Sequence, residues 1–286
     1  MVKPQVRAIL LFILVMCFGV LIFGGYLIKR DKPPVPHRIV DQNNKVLITG
    51  ENIKDGQNYY YSRGGQHIGT IWGHGSYLAP DWSADYLHRL GLYAAARYLG
   101  LDADKARSYS NKEFDSLDPV KKAEISALVA KDLRVNRYDP EKNELVYTAY
   151  QAEAFQNLKE YYTDLFIKGN DRMGLQPGIA RNDKDGFIIA SFFSWLAWAA
   201  GTTRPGKDVT YTTNWPYDPL VGNVPTAEMV IWSIVSVVLL ILALGLVLFF
   251  YNRYMREDDY TARLVALNEP APTPSHGRAQ RRGHGG

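Results

Sequence analysis

The sequence has almost no cysteine. Its 286 residues include a single one, Cys17, which lies inside an apolar run near the N-terminus. The long segment that follows therefore holds no disulfide, no thiolate zinc or copper site and no Cys-x-x-Cys-His haem attachment. Chemistry that needs a protein thiol is excluded from this segment.

An excess of charge and the common catalytic motifs are also lacking. The net formal charge is +4, but residues 8–251 carry 25 basic and 25 acidic side chains. Nucleic-acid binding needs a basic face, so this neutral middle argues against a nucleic-acid partner. The sequence contains no Gly-x-Ser-x-Gly motif, no P-loop and no dinucleotide-binding fingerprint. It therefore lacks the usual sequence signatures of a serine nucleophile, a nucleoside-triphosphate site and a dinucleotide site.

Two long apolar runs are present, over residues 8–28 and 229–251, and neither contains a charged residue. A bilayer core requires about 20 helical residues, so each run predicts a transmembrane helix. The first run is long for a signal sequence and no clear small-x-small cleavage site follows it. It therefore predicts an uncleaved anchor.

The cations beside these runs favour opposite orientations. Four basic residues lie between Lys29 and Arg38, and three arginines lie between Arg253 and Arg263; each group by itself predicts a cytoplasmic position. Two spans put both termini on one side, and we give precedence to the second group. We expect a bacterial or archaeal cell-membrane protein with both termini cytoplasmic. The predicted organisation is a cytoplasmic N-terminus (1–7), a transmembrane helix (8–28), an extracytoplasmic domain (29–226), a transmembrane helix (227–251) and a cytoplasmic, disordered tail (252–286).

Between the runs, apolar residues at helical spacing predict a mainly α domain with a few short strands. A cap at Asp118 and a capping box at Thr148 mark two helix starts. The last helix is apolar almost all round, which predicts burial in the domain or against a partner or lipid. Residues 80–83 read as a helix start, and apolar residues at helical spacing follow over 86–99. The other predicted helices are 51–63, 119–133, 149–167 and 185–200, and the predicted strands are 37–40, 45–49 and 145–147.

A glycine-rich and aromatic stretch follows the first of these helices. Five glycines fall between Gly64 and Gly75, which predicts a tight backbone with several positive-φ positions. Three large aromatic side chains, Trp72, Tyr77 and Trp82, predict that this loop packs against another surface. Both a well-packed structural loop and a remodelled cofactor loop fit these residue types.

The same stretch contains His67, His74 and His88, and neutral imidazole is a common metal ligand. Their spacings match no familiar zinc pattern, and no helix presents two of them four residues apart. We therefore predict no metal site and assign the histidines to packing, capping or an interface. Asp81 and Arg89, with His88, are expected to fix the loop to the following helix or to contact a partner.

Several motifs together resemble one protein family. Residues 72–82 read Trp-Gly-His-Gly-Ser-Tyr-Leu-Ala-Pro-Asp-Trp, residues 214–216 read Asn-Trp-Pro, and an apolar span begins near Trp232. In this order they resemble the N-terminal region of quinol-dependent nitric oxide reductases, over about residues 5–255. In that family a cytochrome-c-like domain without haem precedes a catalytic membrane core of the haem–copper-oxidase type.

The resemblance implies a degenerate haem loop. In related cytochrome-c-dependent enzymes, Cys-x-x-Cys-His precedes the glycine–tyrosine motif; here Gly65 and Ile68 stand at the cysteine positions and Gly69 at the axial histidine. No thioether or axial bond can form from these residues, so we expect no cofactor in this chain. Haem b, haem b3 and non-haem iron are implied in a partner subunit. We hypothesise that Trp72 and Tyr77 help fill the vacated space; a haem-sized cavity beside Trp72 would contradict this.

By the same resemblance, the chain is a non-catalytic subunit that stabilises and covers the catalytic core of a complex reducing NO to N₂O with quinol electrons. The sequence stops after the second run, so it is expected to be a split subunit or a fragment. Its expected contacts are the catalytic subunit, membrane lipid and, through the partner, quinol. The interface candidates are Trp72, His74, Tyr77, Asp81, Trp82, His88 and Arg89.

Two other classes remain open from the residues. One is a two-span interaction or sensor protein with an extracytoplasmic domain and no enzyme partner. The other is a metal-dependent hydrolase, which requires a stoichiometric bound metal. Identification of the chains that accompany this protein in the membrane distinguishes the first alternative from the reductase interpretation, and metal analysis tests the second.

Overall fold

A computed structural model describes residues 4–75 and 78–268. These residues form two compact units, one ending at Ala227 and one beginning at Glu228. The helices are α1 (Pro4–Asp31), α2 (Gly50–Ser62), α3 (Trp82–Tyr98), α4 (Ala103–Ser108), α5 (Asn111–Asp115), α6 (Pro119–Arg134), α7 (Ala149–Lys168), α8 (Asp183–Gly201) and α9 (Ala227–Asn268), with 3-10 turns at Gly65–Ile68 and Asp171–Met173. The strands are β1 (Arg38–Val40), β2 (Val46–Thr49), β3 (Tyr138–Asp139) and β4 (Glu144–Val146). The fold is mainly α with short strands, as predicted.

The two apolar runs form helices that are long enough to cross a membrane. The candidate spans are Leu11–Asp31 in α1 and Ala227–Arg253 in α9, with mean hydropathies of 2.6 and 3.0. Neither span is buried against the rest of the protein. Exposed apolar surface of this length is costly in water and favourable in lipid, so the two helices indicate a membrane protein.

The prediction of a disordered tail is wrong over residues 252–268, because α9 continues through them to Asn268. This part of the chain has strong helix formers such as Arg256, Ala262 and Leu264, and it contains no proline or glycine. The helix therefore has no local reason to end at the polar boundary of the span. Residues 269–286 lie outside the part of the chain that the structure describes.

Helix α8 forms the centre of the first unit and packs against α2, α3 and α7. Every residue from Ile188 to Gly201 is buried, and the rings of Phe192 and Phe193 are fully excluded from solvent. Burial of each such ring contributes about 1.5–3 kcal/mol. The all-round apolar pattern therefore marked a core helix, which was one of the predicted possibilities.

Local signals start the helices where the sequence predicted. Asp81 accepts a hydrogen bond from the Ala84 backbone N–H at 3.0 Å and begins α3. Asp118 caps α6, and Thr148 forms the predicted capping box that opens α7. The short helices α4 and α5 were not predicted, because five or six residues are too few to show a helical period.

The strands form a four-stranded sheet in the order β2-β1-β4-β3. The β1–β2 pair is antiparallel, as is β3–β4, and β1 runs parallel to β4. The salt bridge from Arg38 to Glu144 joins the two parallel strands. The two predicted N-terminal strands and the strand near residue 145 are confirmed, whereas two-residue β3 has too short a pattern to be read from sequence.

Candidate functional site

The glycine-rich loop begins where α2 ends, and α2 is held by a close crossing with α8. At this crossing, a Cβ on Gly56 would overlap the Ile188 carbonyl group and crowd the Phe192 side chain. Glycine thus allows the two backbones to approach more closely than any other residue permits. The crossing fixes α2, from whose end at Ser62 the loop continues.

The loop backbone has the conformation that its glycines predicted. Gly64, Gly65, Gly69, Gly73 and Gly75 all have positive φ, between 54° and 121°. A β-carbon disfavours this region strongly, so the glycines permit turns that other residues would strain. The prediction of a tight, irregular loop is confirmed over its described residues.

Asp81 joins the two ends of the loop. One carboxylate oxygen accepts hydrogen bonds from the Gly73 backbone N–H at 2.7 Å and the Thr70 hydroxyl at 3.1 Å. The other accepts from the Ala84 backbone N–H and the Ser83 hydroxyl. Charge-assisted bonds of this kind are stronger than neutral ones. The carboxylate therefore fixes the loop on the N-terminus of α3, which is one of the two roles expected from the sequence.

Trp82 occupies the space beside Gly69. A Cβ on Gly69 would overlap the Trp82 indole, and the indole N–H donates to the Ile68 carbonyl at 2.9 Å. The indole also stacks on Phe193, with ring centres 5.4 Å apart and an angle of 8° between the planes. A side chain at position 69 thus has no room on this side.

One sequence-based expectation about tryptophan is therefore wrong: Trp82 is fully buried, so it offers no surface to a partner. Trp72 donates its indole N–H to the Leu196 carbonyl at 3.2 Å and lies against Trp195. A groove of about 440 Å³ lies beside it. The hypothesis that Trp72 and Tyr77 help fill the vacated haem space stays a prediction, because Tyr77 lies outside the described residues. Sequence spacing alone did not show which tryptophan faces inward at Gly69.

Among the predicted interface residues, His74 has an exposed side chain, and Trp72, Asp81, His88 and Arg89 are partly buried. Tyr77 lies outside the described residues.

His88 joins α3 to the segment before the second unit. Its Nδ1 lies 2.7 Å from the Asp218 carboxylate and its Nε2 lies 2.9 Å from the Asn111 side-chain oxygen. Both nitrogens can donate at once only in the protonated ring. The hydrogen bond with Asp218 raises the pKa of His88 above its ordinary value, against the opposing effect of burial.

Arg89 links α3 to α7. It donates to Asp85 at 2.9 Å and to the Tyr161 hydroxyl at 2.7 Å, and Asp85 also accepts from the Tyr162 hydroxyl. These contacts, like those of His88, stay within the domain. Sequence reasoning identified these polar residues, but it did not predict their partners on α7 and near residue 218.

The structure shows no arrangement that would hold a metal among the residues it describes: no three histidine, cysteine or acidic side chains converge there. A groove of about 950 Å³ lies between α3, α4, α7 and α8, and its lining mixes basic and acidic side chains. It is formed by residues outside the glycine-rich loop. The described part of the loop is therefore packed and hydrogen-bonded to the rest of the domain.

One exposed side chain outside the loop extends its surface. The Trp215 indole, 44% exposed, lies against Gly73, where a Cβ would overlap it, and donates to the Gly73 carbonyl at 3.4 Å. Leu78, at 71% exposed, lies further along the loop. The sequence alone did not connect Trp215 with the loop, because 142 positions separate it from Gly73. We define the loop surface as His74, Leu78 and Trp215.

These features define a mainly helical domain in a chain with two candidate membrane spans: a glycine-rich loop follows the first helix of the domain, and helices α2 and α8 cross at a glycine. A family model described as the NorB cytochrome c-like domain, from nitric oxide reductase, matches residues 36–217. Because this match covers more than half of the chain, the chain belongs to that family. A search of curated proteins finds no match.

Proposed function

We propose that this chain is a haem-free, non-catalytic subunit, or N-terminal part, of a quinol-dependent nitric oxide reductase. It stabilises and covers a catalytic subunit of the haem–copper-oxidase type, which reduces NO to N₂O and holds haem b, haem b3 and non-haem iron. The family match supports the link to nitric oxide reductase. The observation that carries the haem-free role is the Trp82 indole packed against Gly69.

A c-type haem needs two thioethers and at least one axial ligand from this loop, and three features oppose it. Gly65 and Ile68 have no thiol, Gly69 has no imidazole, and the space beside Gly69 is filled by a fully buried side chain. The domain can therefore keep the fold that haem usually completes, because aromatic packing supplies the buried surface instead.

The proposed orientation puts both chain ends in the cytoplasm and the domain, residues 29–226, on the outer side. The two candidate spans support membrane insertion. The arginines of the polar part of α9 support a cytoplasmic position for residues 252–268. In this orientation the domain lies above the outer face of a membrane-embedded partner.

The loop surface is the proposed contact with the catalytic subunit. It combines exposed apolar area from Leu78 and Trp215 with one exposed imidazole, His74, on a backbone fixed by Asp81. Tryptophan on a rigid surface is a common centre of binding energy because it buries a large area at little entropic cost. Of the other described interface candidates, Trp72, Asp81 and Trp82 hold the loop in position behind this surface. His88 and Arg89 join α3 to other segments of the domain.

The haem-free role is tested by the absorption spectrum of the full chain, expressed without a partner in a host that matures c-type cytochromes and purified in mild detergent. We expect no Soret band and no covalent haem on a denaturing gel. A covalent or stoichiometric haem signal contradicts the proposal.

The docking role is tested by comparing Trp215→Ala with Val120→Ala in native membranes. Both positions are exposed and apolar, and Val120 lies at the start of α6, away from the loop. We expect Trp215→Ala to reduce the co-isolated multi-span haem protein by about tenfold, since a central tryptophan contributes about 2 kcal/mol or more. Equal recovery with both variants contradicts this surface.

A further inference from the structure

The end of α1 concentrates positive charge. Five cationic side chains belong to its last residues or lie near Asp31: Lys29, Arg30, Lys32, Arg204 and Lys207. The Asp31 carboxylate binds two of them, with Arg30 at 2.6 Å and Arg204 at 3.3 Å. The nearby Asp208 carboxylate interacts with Arg134 instead. One bonded carboxylate leaves this end of the helix clearly cationic.

The groove of about 440 Å³ beside Trp72 opens at the same place. Leu27 and Ile28 of α1 form part of its wall, and the domain contributes Trp72 and Tyr211. Ile28 is 73% exposed, and it belongs to the helix face that continues into the candidate span. The groove is thus continuous with surface that faces lipid.

The polar side of the groove is held rigidly. Arg204 donates to the Thr210 and Tyr211 carbonyls and to the Thr213 hydroxyl, besides its bond to Asp31. This network fixes a guanidinium charge in the groove wall, whereas Lys32 and Lys207 have exposed side chains. A fixed charge and two lysines suit an anionic group that carries several acceptor oxygens.

We propose that this groove binds one anionic phospholipid from the leaflet in which α1 ends. The acyl chain lies along Leu27 and Ile28, and the phosphate lies at the level of Lys32 and Arg204. A phospholipid matches the site because its apolar and anionic parts follow the same order along the membrane normal as the apolar and cationic residues of α1. The inference rests on α1 spanning the bilayer and not on the proposed reductase partner.

The site also gives the cations after the first span a function. By the positive-inside tendency they belong in the cytoplasm, which conflicts with the arginines of α9. Binding to lipid phosphate provides a reason to keep basic residues at this end of α1 on the outer side.

The test is native mass spectrometry of the full chain in mild detergent, with an equimolar mixture of phosphatidylglycerol and phosphatidylcholine of equal chain length. We expect one retained lipid, with phosphatidylglycerol preferred about tenfold or more. The double variant Lys32→Gln, Lys207→Gln should remove a preference of about tenfold almost completely, because each cation near an anionic lipid contributes roughly fivefold and two together contribute up to about 25-fold. Arg204 is not substituted, because its hydrogen bonds to residues 210–213 also stabilise the segment that follows it.

The matched control is Lys54→Gln, Lys184→Gln, which removes two exposed charges from α2 and the start of α8. Lys184 lies about 25 Å from the end of α8 at Gly201, at 1.5 Å per residue, and Arg204 of the groove follows that end by three residues. The control should keep the preference. Equal retention of both lipids by the unmodified protein overturns the proposal, and so does an equal loss of preference in the two double variants.

A second measurement places the lipid. Brominated phosphatidylglycerol, at low mole fraction in phosphatidylcholine nanodiscs, quenches tryptophans at short range. We expect Trp72→Phe to remove a quenched component that brominated phosphatidylcholine at the same mole fraction does not produce. The same quenching of Trp72 by both lipids, or by neither, contradicts a selective site in this groove.

Discussion

Trp82→Ala removes the side chain that occupies the space beside Gly69, and the structure allows its cost to be estimated. The indole is fully buried, with ring centres 5.4 Å from Phe193 and 5.0 Å from Phe166. Truncation of a buried tryptophan to alanine costs about 3–5 kcal/mol. Loss of its hydrogen bond also leaves the Ile68 carbonyl without this donor, which adds about 1 kcal/mol. We expect the free energy of unfolding to fall by about 5 kcal/mol.

For a domain of this size, about 1 kcal/mol shifts the Tm by about 2–4 °C, so the Tm should fall by about 10–20 °C. The assay is thermal unfolding of the full chain in mild detergent, followed by near-ultraviolet circular dichroism. Trp215→Ala is the control, because its half-exposed ring should cost about 1 kcal/mol or less. A fall of under about 3 °C for Trp82→Ala would refute the packing argument.

Rescue by a small aromatic molecule locates the effect. An apolar cavity left by a buried ring stays dry and binds apolar ligands of matching shape. Indole at millimolar concentration should therefore raise the Tm of Trp82→Ala by a few degrees and leave the unmodified protein unchanged. Equal responses of the two proteins would show that the loop collapses into the space, and that no cavity forms beside Gly69.

Three further predictions concern the contacts behind the loop. The folded-state pKa of His88 is raised above its ordinary 6.5, chiefly by the hydrogen bond with Asp218. The protonated ring therefore contributes its full stability below about pH 6.5, and this contribution is lost as pH rises through the folded-state pKa. The urea midpoint should fall between about pH 6 and pH 8.5, and His88→Gln should remove most of this difference. Gly56→Ala should lower the free energy of unfolding in urea by about 3 kcal/mol or more, because the new methyl group overlaps the Ile188 carbonyl group. Gly91→Ala is the control and should cost less, since its methyl group would lie 3.2 Å from Leu220. Equal costs would contradict the close crossing of α2 and α8. Asp81→Asn should lower the free energy of unfolding by about 1–3 kcal/mol and speed hydrogen exchange at the Gly73 amide. Unchanged exchange at Gly73 would contradict the claim that Asp81 fixes the loop.

The sequence was most informative where local chemistry decides the structure. Asp118 and Thr148 begin helices because their side chains accept hydrogen bonds from the first turn, and this requires no knowledge of the remaining fold. The five loop glycines likewise predicted positive φ, since only glycine adopts it at little cost. The helical core and both membrane helices followed from apolar periodicity and run length.

Where distant segments meet, the sequence had no comparable signal. Trp72 lies in the loop and Trp82, ten residues later, is the first residue of α3. Only Trp82 enters the core beside Phe193, because Asp81 begins α3 at that point and turns the next side chain inward. The contacts of His88 with Asp218 and of Trp215 with Gly73 join residues more than 100 positions apart. Such pairings depend on how helices pack, which a periodic pattern does not specify.

Isolation of the tagged chain from native membranes in mild detergent, with identification of every accompanying protein, tests the central claim most directly. The proposed function predicts a multi-span haem b protein in equal amount, and NO consumption by the isolated complex. Recovery of the chain alone, without haem and without such a protein, would contradict its role as a reductase component. It would favour a two-span interaction or sensor protein instead.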